Sequence, residues 1–167
     1  MLTRIIIGNA VSLFAACFLF ASSAGKTVKR IYLLQIFECL ILVIAQIIFG
    51  APEAVFALLV SAMRNTLLVM EKYTRTAMLL VAALSFALGI LFYSGTLAGL
   101  LPPLATSVYS ASCYFAKSFT AVKLSLAFNL FVWCIYSFLI FDFVSFSVNL
   151  VSLIIALISL FSLRGQK

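Results

Sequence analysis

Seven apolar runs, each about as long as a membrane-spanning helix, follow one another along this chain. They cover residues 5–22, 29–49, 53–70, 76–94, 100–116, 123–140 and 145–162. A helix needs about 20 mostly apolar residues to cross the hydrocarbon core of a bilayer. The breaks between the runs are only a few residues long, as in "GAP", "EKYTR" and "FDFV". The pattern predicts seven transmembrane helices joined by tight turns, with no soluble domain between them.

Composition supports lipid as the main solvent of the chain. Of the 167 residues, 66% are hydrophobic and 9% are charged, which is more apolar surface than a soluble domain of this size can bury. The runs lack the alternating polarity of a transmembrane β-barrel, so the prediction is an all-α integral membrane protein. The net charge of +7 comes from scattered basic residues, which argues against a nucleic-acid partner. The expected partner is the lipid bilayer.

The first run has a second interpretation. One basic residue, an apolar stretch and the small residues Ser22 and Ala24 also occur in cleavable signal peptides. However, three basic residues follow the run (Lys26, Lys29 and Arg30), and only Arg4 precedes it. A signal peptide has its positive charge in front, so we favour a retained helix.

The basic residues predict the orientation. Short cytoplasmic loops of membrane proteins carry an excess of lysine and arginine. The first, third and fifth loops and the C-terminus carry Lys26, Lys29, Arg30, Lys72, Arg75, Lys117, Lys123, Arg164 and Lys167. The opposite side carries Arg4 as its basic residue, together with Glu53 and Asp142. We therefore expect the N-terminus outside and the C-terminus in the cytoplasm.

Arg64 and Glu38 are charged residues inside the predicted spans. Arg64 precedes Lys72 by eight residues and Glu38 follows Arg30 by eight, which places each ~12 Å from the cytoplasmic helix end. An unpaired charge at the bilayer centre costs about 2.5–3.5 kcal/mol on insertion scales. We therefore expect the two side chains to approach one another in at least one state. The alternative is a fixed ion pair that only staples two helices.

Six of the seven runs have a polar stripe along one face, and the fourth does not. Ser85 and Gly89 give the fourth run only a face of small residues, which suits helix packing. This pattern suggests a 3+1+3 plan with two three-helix bundles, residues 1–72 and 99–167, and a linker helix in residues 73–98. With one helix between them, the bundles have the same orientation and form a parallel repeat about the membrane normal.

Several segments resemble a known family. These are "IGNAVSLFAACFLFASSAGKTVKRIYLLQIF", "FGAPEAVFALLVSAMRN", "GLLPPLATSVY" and "FVWCIYSF". They resemble the YgjV-like bacterial inner-membrane proteins, which are placed with the PQ-loop or SWEET-like superfamily of transporters. The resemblance covers nearly the whole chain and implies a multi-pass protein of the bacterial inner membrane with a SWEET-like 3+1+3 fold.

The chain also departs from that superfamily. It has no Pro-Gln pair, and Pro52, Pro102 and Pro103 lie at helix starts instead of mid-helix hinges. Asn65 and Asn149 are similar to the paired asparagines of sugar facilitators, but they fall at different depths. The roles of the facilitators' residues are therefore not carried over, and the resemblance names no solute.

Residues suited to catalysis or metal binding are scarce. Histidine is absent, the four cysteines have no CxxC spacing, and the chain has four acidic residues. The commonest general base and the usual metal ligands are therefore missing. We expect a protein that is not an enzyme, with no metal and no cofactor.

The leading functional prediction is a small-solute transporter or permease with a polar site at the membrane midplane, between the two triplets. Arg64 can bind a carboxylate or phosphate with two hydrogen bonds, and Glu38 can hold Arg64 when the site is empty. The candidate site residues are Arg64, Glu38, Gln35, Asn65, Asn129, Trp133, Tyr136, Asn9 and Tyr109. For each polar residue, the alternative is a hydrogen bond between helices.

The second functional prediction is a membrane receptor or scaffold that recruits a partner through its basic cytoplasmic face. Loops this short offer little surface for docking, which disfavours it. A scaffold would depend on Lys26, Lys29 or Lys117, and a transporter on Arg64 or Asn129. The sequence is compatible with a homo-oligomer and fixes no oligomeric state.

Overall fold

The computed structural model describes residues 2–23, 27–115 and 119–164, and seven α-helices account for most of them. They are α1 (Leu2–Ser23), α2 (Val28–Phe49), α3 (Pro52–Val69), α4 (Arg75–Leu91), α5 (Leu101–Phe115), α6 (Phe119–Leu139) and α7 (Phe143–Arg164). A short 3₁₀ turn, Leu97–Leu100, leads into α5. Each predicted run overlaps one of these helices over most of its length, so the all-α, seven-helix prediction is confirmed for the described residues.

Local sequence signals set several of the helix ends. Thr27 and Thr74 cap α2 and α4 by accepting hydrogen bonds from the backbone N–H of Arg30 (3.4 Å) and Ala77 (3.3 Å). Pro52 opens α3 at its first turn, where a missing N–H costs nothing. Pro102 and Pro103 likewise lie in the first turn of α5, so the proline pair marks a helix start as predicted.

Six of the helices form a closed ring, and α4 lies outside it. Around the ring α1 contacts α2, then follow α3, α5, α6 and α7, and α7 returns to α1. Helix α4 packs against α3 and α5. Its contact with α5 is tight: a Cβ on Gly89 would clash with the ring of Pro103, and the Ser85 hydroxyl donates to the Pro103 carbonyl. The predicted packing face of small residues on α4 is therefore confirmed.

Polar residues lie inside the ring and large apolar residues lie outside it. Buried residues include Gln46, Arg64 and Asn65, whereas Leu2, Leu91 and Ile158 are more than half exposed. A soluble protein has the opposite distribution. Within the described residues, three helices are long and apolar enough to cross a membrane (Leu2–Ser22, Lys29–Phe49 and Pro52–Val69), and Arg75–Leu91, Leu124–Leu139 and Phe143–Ile158 are shorter apolar segments. The exposed apolar surface suits contact with lipid.

The turns after α2, α3 and α6 have the same geometry, with a residue of positive φ at Gly50, Glu71 and Phe141. Gly50 after α2 and Phe141 after α6 both have positive φ, +75° and +64°, and they lie 91 positions apart. In these two turns this residue's N–H bonds to the carbonyl three residues earlier, Ile47 or Phe138. The next N–H bonds to the carbonyl five residues back, from Ala51 to Gln46 and from Asp142 to Ser137. The helices on both sides also start with this spacing, since α2 and α3 begin 91 positions before α6 and α7.

Candidate functional site

A polar cavity of about 70 Å³ lies inside the ring. All six ring helices contribute to its wall, and α4 does not. The lining residues are Leu19, Gln35, Glu38, Cys39, Leu42, Gln46, Leu58, Ser61, Arg64, Asn65, Tyr109, Leu126, Asn129, Leu130, Trp133, Ser137, Ser145 and Asn149. At roughly 30 Å³ per water molecule, the cavity has room for about two waters.

The wall of the cavity follows the same 91-residue spacing as the turns. Six pairs of lining residues are separated by this number: Gln35 and Leu126, Glu38 and Asn129, Cys39 and Leu130, Leu42 and Trp133, Gln46 and Ser137, Leu58 and Asn149. Equivalent positions of α2 and α6, and of α3 and α7, therefore face one space. The spacing pairs Asn149 with Leu58 and not with Asn65, in keeping with the different depths expected for the two asparagines.

Arg64 projects from α3 into this cavity and is 3% exposed. Its Nε and Nη2 both donate to the Oδ1 of Asn65, at 3.2 and 3.0 Å. Its Nη1 donates to the hydroxyl of Ser110 at 3.5 Å, which is a long bond. The guanidinium lies 4.5 Å from the centre of the Tyr109 ring, a distance typical of a cation–π interaction. These contacts hold the guanidinium in one position and leave some of its five N–H donors unused.

Tyr73, in the turn between α3 and α4, binds the same residue of α5 that contacts Arg64. Its hydroxyl donates to the carbonyl of Ser110 at 2.8 Å. Burial raises the pKa of Tyr73 to about 12, so the hydroxyl stays protonated and remains a donor at neutral pH. The bond ties the α3–α4 turn to α5 next to the residues that hold Arg64.

Glu38 lines the same cavity but does not pair with Arg64. Among the described residues, no arginine or lysine lies within ion-pair distance of its carboxylate, and no side chain donates a hydrogen bond to it. Glu38 also lines a smaller cavity of about 20 Å³ between α1, α2 and α7. The approach of Arg64 to Glu38 in another state stays a prediction.

Seven of the nine predicted site residues line the cavity. They are Arg64, Glu38, Gln35, Asn65, Asn129, Trp133 and Tyr109. Asn9 lies elsewhere: its amide donates to the carbonyls of Ile5 (2.9 Å) and Phe141 (3.1 Å) and accepts from the N–H of Val144 (3.0 Å). Asn9 thus joins α1 to the turn before α7, and its hydrogen-bonding groups are already engaged.

Tyr136 also lies away from the cavity. It is completely buried and packs against Ala51 and Ala54 at the turn between α2 and α3. Its hydroxyl has no hydrogen-bond partner among the described residues, and neither has the Oε2 of Glu53. Glu53 itself is buried and accepts from the hydroxyl of Ser94.

Asp142 is buried at the same end of the bundle and has its hydrogen bonds satisfied. Its two carboxylate oxygens accept from the hydroxyl of Ser12 (2.9 Å) and from the N–H of Ser145 (3.0 Å). The second bond caps α7, and the first joins the α6–α7 turn to α1. Burial raises the pKa of Asp142 above its ordinary value, and the two hydrogen bonds oppose that shift.

The cavity includes polar residues that the predicted site omitted. Gln46, Ser137, Ser145 and Asn149 all line it. Gln46 is 2% exposed, and its Oε1 has no partner among the described residues. The signal was present in the sequence: Gln46 lies on the stripe of Glu38, and Asn149 on the polar stripe of α7. A polar stripe shows which face of a helix a residue lies on, but it does not show which residues of other helices it contacts. For this reason these residues were not included in the predicted site.

Side chains of the types that bind metals do not cluster among the described residues. No group of three histidine, cysteine, aspartate or glutamate side chains is close enough there to hold a metal ion. Cys17, Cys39, Cys113 and Cys134 are free thiols.

Of the basic residues proposed for partner recruitment, Lys29 is exposed, whereas Lys26 and Lys117 lie outside the described residues.

The fold and the cavity define the class of this protein: an α-helical membrane protein that encloses a polar site inside a ring of helices. Residues 6–167 match the Imp-YgjV family model, described as bacterial inner membrane protein. The chain therefore belongs to this family and is a multi-pass protein of the bacterial inner membrane. No curated protein and no solved structure matches it.

Proposed function

We propose that this protein is a small-solute transporter or permease and not an enzyme, and that the ring cavity is its binding site. One observation carries the proposal: six helices enclose a polar cavity that holds an arginine and a glutamate not paired with one another. A charge buried inside a membrane protein is costly and usually marks a functional path. A protein with only a structural role would neutralise these charges by pairing them.

The 3+1+3 arrangement belongs to this proposal. The helix starts 91 positions apart and the six paired lining positions support two bundles related by a parallel repeat. Helix α4 outside the ring suits a linker between bundles of residues 1–72 and 99–167. With the N-terminus outside and the C-terminus in the cytoplasm, the basic residues at the α3–α4 turn, Lys72 and Arg75, face the cytoplasm.

The size of the cavity indicates how the transporter would work. A cavity of about 70 Å³ is smaller than the roughly 300–1,000 Å³ of typical small-molecule sites. A solute therefore enters and leaves only when the bundles move apart, as in alternating access between two repeats.

A thermal-shift screen of the purified protein tests the proposal. Sugars, amino acids, organic acids, nucleosides and vitamins are compared on the wild type and on Arg64→Ala, and any stabilising solute is then assayed for uptake into liposomes. Met63→Ala is the matched control, because Met63 is the neighbouring residue on α3 and is 39% exposed. We expect one chemical class to stabilise the wild type and Met63→Ala but not Arg64→Ala. No stabilisation or uptake by any class, with Arg64→Ala merely less stable, would contradict the proposal.

A further inference from the structure

We infer that the transported solute is a zwitterion, whose anionic group binds Arg64 and whose cationic group binds Glu38. The inference rests on the proposed function and names the solute class of the same site. It follows from the way the two opposite charges of the cavity are arranged: each is fixed in the wall, and each lacks a charged partner in the described structure.

Arg64 is held as a receptor for an anion. Asn65 engages Nε and one side of Nη2, and the Tyr109 ring covers one face of the guanidinium. Asn65 and Tyr109 are neutral, so the positive charge stays uncompensated. The remaining donors are on Nη1 and Nη2, and Nη1 is occupied only by the long bond to Ser110. The two Nη atoms form an edge that matches the two oxygens of a carboxylate.

Glu38 supplies the opposite charge to the same space. Its carboxylate lines the cavity without a hydrogen bond, and Asn129 occupies the equivalent position on α6. A carboxylate accepts hydrogen bonds and attracts a cation, whereas the Asn129 amide can both donate and accept. A solute ammonium group can therefore bind Glu38, with the oxygen of Asn129 as a second acceptor.

Charge balance selects among the classes of solute. A simple anion would bind Arg64 but would bring its charge into a small cavity that already holds Glu38. A simple cation meets the same difficulty at Arg64, and a sugar leaves both charges uncompensated. A zwitterion neutralises both without adding net charge, which lowers the cost of burying all four charges in a membrane.

The neutral part of the cavity can hold the rest of the solute. The Oε1 of Gln46 is a buried acceptor without a partner, and Trp133 provides an aromatic wall. This arrangement suits a polar or planar side group with a hydrogen-bond donor.

The test compares each zwitterion with its two charge-deleted analogues. Binding and liposome uptake are measured for the standard L-amino acids, β-alanine and γ-aminobutyrate, each beside its deaminated acid and its decarboxylated amine. The α, β and γ series varies the separation between the charges. Wild type is compared with Glu38→Gln and Arg64→Gln, and Met63→Ala is the control. Glu38→Gln is expected to fold, because the carboxylate makes no hydrogen bond with any residue that the structure describes.

We expect wild type to bind one zwitterion about 30-fold or more tightly than its acid or its amine. Glu38→Gln should lose this preference and gain affinity for the acid, and Arg64→Gln should gain affinity for the amine. If the wild type prefers an acid, an amine or a sugar and transports it, the zwitterion inference is wrong while the proposed function stands. If no solute of any class binds or is taken up, the proposed function fails and the inference fails with it.

Discussion

The two halves of the ring share a backbone plan but differ in charge. Counting 91 positions onward, Glu38 of α2 corresponds to Asn129 of α6, and both line the cavity. Arg64 of α3 corresponds to Ile155 of α7, and here the similarity ends: Arg64 is 3% exposed and Ile155 is 49% exposed. Helix α5 covers the Arg64 region with Tyr109 and Ser110. The repeated backbone therefore fixes where the cavity lies, whereas the half that contains α2 and α3 supplies the charged residues of the cavity.

The largest expected effect is on solute affinity, which should fall when Arg64 is replaced but not when its counterpart Ile155 is replaced. Arg64→Ala removes the cation of the cavity and should lower solute affinity about 30-fold or more, because Glu38 is left as an uncompensated charge. Ile155→Ala should leave affinity unchanged, since the side chain faces outward. Equilibrium binding to the solute found in the screen measures both. Equal losses in the two variants would remove the functional distinction between the halves.

The second prediction concerns Asp142, whose counterpart 91 positions earlier is Ala51. Asp142→Ala removes the cap of α7 and the bond to Ser12, and should cost about 1–3 kcal/mol of stability. Asp142→Asn keeps an acceptor for the Ser145 N–H and can donate its amide N–H to the Ser12 hydroxyl, so it should cost much less. Thermal unfolding in detergent distinguishes the two variants, and an equal loss in both would show that the charge and not the hydrogen bonding matters.

Asp142 should also make stability depend on pH. Because its pKa is raised in the folded protein, the folded state binds the proton more tightly than the unfolded chain does. The contribution of this group is therefore fully present below the ordinary pKa of an aspartate and is lost as pH rises through the raised pKa. Wild type should gain stability on mild acidification, and Asp142→Asn should gain less. Identical pH profiles would contradict this assignment.

The third comparison is between the turn at Gly50 and the turn at Phe141. Gly50 adopts positive φ without strain, whereas Phe141 does so at a cost of about 1 kcal/mol. Phe141→Gly should therefore stabilise the protein by about this amount, provided the exposed Phe141 ring contributes little. Gly50→Ala should destabilise it by about 1 kcal/mol or more, because an alanine at a φ of +75° is strained. Melting temperatures of the two variants should shift in opposite directions.

The smallest expected effect is at Tyr136, whose counterpart is Ala45. The Tyr136 hydroxyl is buried without a hydrogen-bond partner, so Tyr136→Phe should change stability by less than about 0.5 kcal/mol and leave solute binding intact. Tyr136→Ala is the contrasting variant, since it removes a completely buried ring and should cost about 3–5 kcal/mol. A large loss in Tyr136→Phe would indicate a bond to Glu53 that the structure does not show.

Much of the fold was predictable because local signals define it. Run length, Thr27, Thr74 and Pro52 locate the helix boundaries to within a few residues. The ring order was not predictable, because contacts such as α1 with α7 join distant segments. For this reason the sequence did not show that Asn9 binds the α6–α7 turn. The same limit applies to Tyr136, which was predicted to line the site. It shares a polar stripe with Trp133, but its ring packs against Ala51 and Ala54 at the α2–α3 turn.

The most direct test of the transport account is whether both sides of the membrane reach the cavity. Cys17, Cys39, Cys113 and Cys134 are replaced by alanine, and a single cysteine is introduced by Asn129→Cys. A membrane-impermeant thiol reagent is then applied to either face of oriented vesicles, with Lys72→Cys as a control that reacts from the cytoplasmic face. The account predicts that Asn129→Cys is modified from both faces and is protected from both by the bound solute. Modification from one face alone, or from neither, would contradict a transport site inside the ring.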